Sequence, residues 1–284
     1  MLFLVSDKAA FSLRRLAQLL VLALLPAFAQ AHLTHAELMS LQPVPNVKEH
    51  GIGIFVYDGM NAMDALGPMQ VFSAAGLQPF LVAKTAGIVT ASNGLSINVA
   101  KGFADVTRLD ILVVPGGAAE TVLQTQDPVV LNWIKMIDQN TIYTTSVCTG
   151  AWILGTAELL RGKQATSNWY RAAEILKKFR AIPRPSQRYV FDGKLVTSAG
   201  VTAGLDMALA IVQKLFSHDT TNGQDFTQAV MLDLQYSPKP PVRGGTPAKS
   251  DPSVAGAMTE MYDMFFYSDY PGYDWVKTLP YLPK

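Results

Sequence analysis

Histidine and cysteine are both scarce. The 284 residues contain four histidines (His32, His35, His50 and His218) and a single cysteine, Cys148. One cysteine cannot form an internal disulfide, and ligands this few and this dispersed argue against a zinc site. No histidine falls between His50 and His218, which is where the body of the chain lies. A Cys–His dyad needs an imidazole within hydrogen-bond reach of the sulfur, so a papain-like or amidotransferase-like triad is not expected. An excess of either charge is also missing. The 23 Lys and Arg against 22 Asp and Glu leave a net charge of +1, with no basic cluster in the body, which argues against nucleic-acid binding. No internal repeat is visible.

Long apolar runs are confined to the beginning. Leu16 to Phe28 (LAQLLVLALLPAF) follows Lys8, Arg14 and Arg15 and precedes Ala29-Gln30-Ala31. That order of basic region, short apolar run and small-x-small site is expected to be a signal peptide over residues 1–31, cleaved after Ala31. Its flanks (Ser12-Leu13 and Leu16-Ala17) fit a twin-arginine route poorly. A periplasmic or secreted protein follows, with no membrane span after cleavage. Residues 32–50 read as an amino-terminal arm without periodicity.

What is present in quantity is apolar sequence, 49% of the chain, in segments of alternating type. Gly51 to Tyr57, Gln78 to Ala83 and Ile111 to Val114 read as strands, the first and third buried on both faces. Ile88 to Val99 holds extended pieces around a Ser92-Asn93-Gly94 turn. Asp192-Gly193 marks a hairpin between Arg188–Phe191 and Leu195–Thr197. Helical patterns cover Asn61–Ala75, Asp127–Met136, Asn168–Phe179, Thr202–Phe216 and Asp225–Gln235. In the first of these, Met63, Leu66, Val71, Phe72 and Ala75 are expected to share a face, and Pro68 suits a kink or a restart. Alternating strands and helices predict a doubly wound, mostly parallel α/β sheet with helices on both faces, over residues 51–249. Residues 236–249 are rich in Pro and Gly. The tail, 250–284, is rich in aromatics, Tyr262 and Phe266 among them, and is expected to pack on the body or on a second subunit.

The segment that organises the chain is Thr141 to Leu160, TIYTTSVCTGAWILGTAELL. A short strand turns through Cys148-Thr149-Gly150 into a helix, a cysteine version of the nucleophile elbow. At a helix amino end, unpaired N–H groups and the dipole favour a thiolate. A lone cysteine in an apolar segment also reads as a small buried hydrophobe. Two other features fall just after strands. Asp64 reads either as a helix cap or first-turn acid, or as a carboxylate facing a site. Gly116-Gly117 reads either as a tight turn or as backbone that approaches a ligand closely. In parallel α/β sheets, ligands bind at the carboxyl ends of strands, and Asp64, Gly116-Gly117 and Cys148 share that placement.

From about Gly51 to Pro247 the chain resembles the ThiJ/PfpI superfamily. The segments that carry the resemblance are FVYDGMNAMDALGPMQVFSAAG, VVPGG, SVCTGAWILGTAELLRGKQATSNW and VTSAGVTAGLDMALAIVQKL, with DLQYSPKPPVRGGTP at the end. It is most similar to the branch that holds isonitrile hydratase and the ligand domains of AraC-type regulators. The resemblance implies a flavodoxin-like fold, a homodimer and a small-molecule substrate, with no cofactor and no metal. It makes Cys148 the nucleophile, Asp64 its partner acid and Thr149 a residue that orients water or substrate. The Gly116-Gly117 loop, through the Gly117 N–H together with that of Thr149, would form the anion-stabilising pocket. Superfamily proteases and deglycases carry His after the Cys and Glu in place of Asp64, so Thr149 and Asp64 weigh against peptidase activity. Where the hydratase branch has Thr-Thr-His-Trp, this chain reads Thr166-Ser167-Asn168-Trp169, which makes the pocket its own. The regulator reading needs a helix-turn-helix domain, and the residues after Gln235 do not read as one. The expectation is an exported cysteine-dependent hydratase or hydrolase. The alternative is a non-catalytic ligand-binding or redox-sensing module on the same fold.

Overall fold

The computed structural model describes residues 34–41, 43, 47, 49–217, 222–264 and 266. The expected signal peptide and His218 lie outside them. The chain divides at residue 41 into two units. In the first, within the stretch read as an arm without periodicity, lies one short helix, α1 (His35–Ser40), closed by a capping box. Thr34 accepts from the Glu37 N–H, and Glu37 reaches back to the Thr34 N–H.

The second unit is built on β1 (Ile52–Phe55), α2 (Ala62–Ala74), β2 (Pro79–Ala83), β3 (Gly87–Thr90), β4 (Ser96–Val99), β5 (Lys101–Gly102), β6 (Ile111–Val114), α3 (Ala119–Gln126), α4 (Pro128–Asp138) and β7 (Tyr143–Val147). It continues with α5 (Gly150–Thr156), β8 (Gln164–Ala165), α6 (Ala172–Lys178), β9 (Ile182–Pro183), β10 (Tyr189–Asp192), β11 (Leu195–Ser198), α7 (Val201–Leu215), α8 (Asn222–Asp233) and α9 (Pro252–Asp263). The main sheet has the order β10-β11-β7-β6-β1-β2-β5, parallel throughout except for the β10–β11 hairpin at one edge. The expected mostly parallel α/β sheet is therefore present. Helices pack around it in two groups, α2 with α7 and α8, and α3 with α4 and α5. Every residue of β1 and β6 is buried, which is why both are uninterrupted apolar runs.

Strand order locates the site. The chain goes from β1 outward to β2, then returns to lay β6 on the other side of β1. Connections leaving β1 and β6 thus diverge, opening a crevice at their carboxyl ends. The α2 helix starts at this crevice, capped by Asn61, whose side chain accepts from the Met63 N–H. It runs unbroken through Pro68, against the expected kink or restart. The expected apolar face also shifts. Met63 is half-exposed (49%), while Asp64, Pro68, Val71, Phe72 and Ala75 line the buried side. Asp64 thus occupies a core position at helical spacing and is fully buried, a placement no solvated first-turn acid would have.

Candidate functional site

The elbow forms where the sheet ladder ends. Cys148 N–H donates to Ser198 O at 3.1 Å, so Cys148 still belongs to the β7–β11 edge. Its φ of 59° then takes the chain into the left-handed region, which costs a non-glycine residue roughly 1–2 kcal/mol. Gly150 makes the turn feasible: a Cβ there would lie 2.2 Å from Val114 O. The elbow is thereby pressed against the end of β6, bringing Cys148 to the loop that holds Gly116 and Gly117.

That loop is tied to both acid and elbow. Gly116 N–H donates to Asp64 Oδ2 at 3.1 Å. Gly117 N–H donates to Thr149 Oγ1 at 2.9 Å, and the Thr149 hydroxyl donates to Gly117 O at 2.8 Å. Thr121 Oγ1 lies 3.2 Å from Thr149 Oγ1 and 2.9 Å from the Tyr57 hydroxyl, which donates to Pro115 O. All five expected site residues, Asp64, Gly116, Gly117, Cys148 and Thr149, therefore meet at one point. Within it, the glycine N–H groups serve Asp64 and Thr149, and the Thr149 hydroxyl clamps the loop. Among the described residues no three His, Cys, Asp or Glu side chains come together. His50 lies at the far end of the sheet, its N–H on Asp110 Oδ2 just before β6.

The electrostatics differ from a simple helix-terminus thiolate. Burial, first, and the neighbouring Asp64 charge push the Cys148 thiol up to about 12, although Asn168 and the Thr149 N–H pull it down. The sequence suggests a stabilised thiolate. The helix behind this thiol has only seven residues, and the sulfur is buried beside an acid. Asp64 is displaced too. Burial raises its carboxyl to about 7, against the lowering effect of the Gly116 N–H and of the Cys148 thiol. Its Oδ1 is buried without a well-formed hydrogen bond among the described residues, and the thiol proton is the group at hand to serve it. Cys148 and Asp64 thus form a coupled pair whose acid titrates near neutrality.

Asn168 completes the sulfur's surroundings and was legible in sequence only as a departure from the related motif. Its Oδ1 accepts the Tyr170 N–H at 2.9 Å, which turns Nδ2 toward Cys148 Sγ, 3.2 Å away. Ser167 Oγ donates to Cys148 O at 3.1 Å, so this turn grips the elbow twice. Asn168→Ala is expected to raise the thiol further and slow its alkylation at pH 8 by about tenfold, since a donor to the anion is lost. An unchanged rate would remove Asn168 from the site. The sulfur faces a cavity of about 190 Å³ with Asn61, Ser92 and Asn168 on its polar side and Val201, Met261 and Phe266 on its apolar side.

A strained cysteine elbow, a buried acid after β1 and a Gly-Gly loop after β6 are now placed together, and comparison with known proteins gives this arrangement a family. The DJ-1/PfpI family profile matches residues 50–214. The chain belongs to the DJ-1/PfpI family. Isonitrile hydratase of Pseudomonas putida is 38% identical over 204 residues, 72% of this chain and 86% of that protein. The HTH-type transcriptional regulator CdhR of Pseudomonas aeruginosa is 28% identical over 54% of this chain and 46% of its own length. Among solved structures, a ThiJ/PfpI family protein from Pseudomonas syringae superposes with a TM-score of 0.72 at 33% identity, covering 82% of this chain and 91% of that one. Schizosaccharomyces pombe DJ-1, at 20% identity and a TM-score of 0.55, shares the fold. The likeness to an isonitrile hydratase supports a hydratase-like enzyme.

Proposed function

We propose that this protein hydrates a small isonitrile to the N-substituted formamide, with Cys148 as nucleophile and Asp64 as its proton partner. The observation that carries the reading is the pairing itself: a cavity-facing thiol against a buried carboxyl that titrates at about 7. An acid with that pKa can take the thiol proton and return it at physiological pH. In the first step the sulfur forms a bond to the terminal carbon of R–N≡C. The thiol proton passes through Asp64 to that carbon, giving the thioimidate Cys–S–CH=N–R. Water then adds across C=N, with Asp64 taking the water proton and delivering it to nitrogen. The C–S bond breaks, the sulfur recovers the hydroxyl proton, and R–NH–CHO leaves. One water is consumed and the thiol is restored.

Export by the first 31 residues and assembly as a homodimer belong to the same proposal. A redox-sensing role has less support, because a thiol held near 12 presents little of the thiolate that oxidants attack. The test is incubation of the purified protein with methyl and cyclohexyl isocyanide, following the formyl proton by NMR. Appearance of the formamide at a rate proportional to enzyme supports the reading. No formamide above the buffer rate between pH 6 and 9 excludes it.

A further inference from the structure

We propose that the carboxy-terminal helix α9 caps the active site and that Tyr262 is its substrate-contacting, specificity-determining residue. Met261, Tyr262 and Phe266 line the same cavity as Cys148, although more than a hundred residues separate them from the elbow.

Both footings of the cap lie on segments next to the residues that surround the sulfur. Phe266, 1% exposed, packs edge-on against Trp152, with centroids 5.2 Å apart, on the helix that begins behind Cys148. It also stacks on Tyr170 at 5.6 Å. The Tyr262 ring lies 5.2 Å from Trp169 and 5.2 Å from Tyr170, immediately after the Asn168 that bonds Sγ. A polar latch closes the contact. Asp263 Oδ1 accepts from the Tyr170 hydroxyl at 2.6 Å and from Arg171 Nη2 at 2.9 Å. The Tyr170 bond, first, and the Arg171 cation lower the Asp263 carboxyl below its ordinary value, which favours the charged form of the latch.

Tyr262 has the properties the reaction needs on that side. Burial raises its phenol, the negative potentials of Cys148 and Asp64 add to this, and Asn168 opposes it by hydrogen bonding. The group is therefore a neutral donor within the field of the reacting sulfur. As the sulfur attacks, such a donor can steady the charge that develops on substrate. The space left is small. The cavity measures about 190 Å³. Val201, Met261 and Phe266 offer apolar lining, and Asn61 and Ser92 polar lining. The fitting substrate is a compact neutral molecule with an apolar substituent, and closure over it would exclude bulk water. The substrate half of this inference rests on the hydratase reading, whereas the cap does not.

The test uses the full chain in four forms: wild type, Tyr262→Phe, Tyr262→Ala and Asp263→Ala. Cys148 alkylation by iodoacetamide is timed by mass spectrometry, and kcat and KM are measured for methyl and cyclohexyl isocyanide. Tyr262→Ala and Asp263→Ala are expected to alkylate about tenfold faster, equivalent to about 1.4 kcal/mol of lost closure. Tyr262→Ala should also gain about tenfold in kcat/KM for the larger isocyanide relative to the smaller. Tyr262→Phe keeps the wall and is expected to alkylate at the wild-type rate while losing about tenfold in kcat. Alkylation unchanged in both alanine variants overturns the cap. Unchanged kinetics in both Tyr262 variants overturn the role of Tyr262. If wild type turns over neither isocyanide, the hydratase reading fails, and the alkylation rates still decide the cap.

Discussion

Cys148→Ala is expected to lower isonitrile turnover by on the order of 10³-fold or more while leaving the fold intact. The expected loss is large because in the proposed mechanism Cys148 makes a bond that no neighbouring side chain can make, and removing such a group leaves only binding and positioning. The fold should tolerate the change. Alanine keeps the Cys148 N–H bond to Ser198 and deletes one partly served sulfur from a site already 7% exposed. Cys148→Ser is the stricter comparison, because it keeps the shape and a proton for Asp64 while removing the soft nucleophile. Both variants should lose activity while staying folded, with Cys148→Ala somewhat less stable than Cys148→Ser above pH 7 because Asp64 loses the thiol's hydrogen bond. Retention of even a tenth of wild-type turnover in Cys148→Ala would mean that the chemistry lies elsewhere.

The second large effect concerns stability. Asp64→Asn is expected to stabilise the protein by about 4 kcal/mol above pH 8 while impairing activity. The carboxyl titrates at about 7 in the folded protein against a reference of 3.8, and each unit corresponds to about 1.4 kcal/mol. A folded-state pKa raised in this direction favours the native state below about pH 4, where both forms are protonated. That advantage is lost as pH rises through 7, where a buried charge must be carried. Asparagine offers the same oxygen to the Gly116 N–H and never ionises. Urea unfolding of both forms at pH 4 and 8.5 checks this. The gap should be small at pH 4 and close to its full value at 8.5, and a gap independent of pH would show that Asp64 is not the buried charge described. Activity should mirror stability in reverse. Wild-type kcat/KM is expected to rise with pH through about 7 as Asp64 ionises to accept the thiol proton, and the limb should vanish in Asp64→Asn. On the proposed mechanism, stability is given up at the core position that supplies the proton acceptor.

The sheet was legible because its central strands are buried on both faces and so are written as unbroken apolar runs. Ile111–Val114 is delimited identically in sequence and in structure. The hairpin around Asp192-Gly193 and the Asp127-Pro128 helix start were legible for local reasons, turn chemistry and capping, as Asp127 accepts from the Val129 and Val130 N–H groups. The α3 helix was not legible. It follows the Gly-Gly loop, starts at Ala119 after an Ala118 N-cap that supplies no side-chain bond, and carries a polar, weakly patterned sequence. At the site, chain order and the strand ends brought the five expected residues together. The sequence could not supply their electrostatics. A thiol after a short strand suggests a helix-stabilised anion, whereas the tertiary burial of Cys148 and Asp64 against each other decides the direction. Nor could it place Tyr262 or Phe266, because aromatics in a tail carry no signal of the surface they cover. The Asn168 difference was visible in the motif, but its hydrogen bond to sulfur needed coordinates.

The coupling of Cys148 to Asp64 is tested most directly by the rate of Cys148 alkylation between pH 6 and 11, in wild type and Asp64→Asn. The expected wild-type result is a rate still climbing at the top of that range, as befits a thiol near 12, with a curve shifted to lower pH once the Asp64 charge is removed. A thiol that titrates below neutrality, with the same curve in both proteins, would contradict the coupled pair and return Cys148 to an ordinary helix-terminus thiolate.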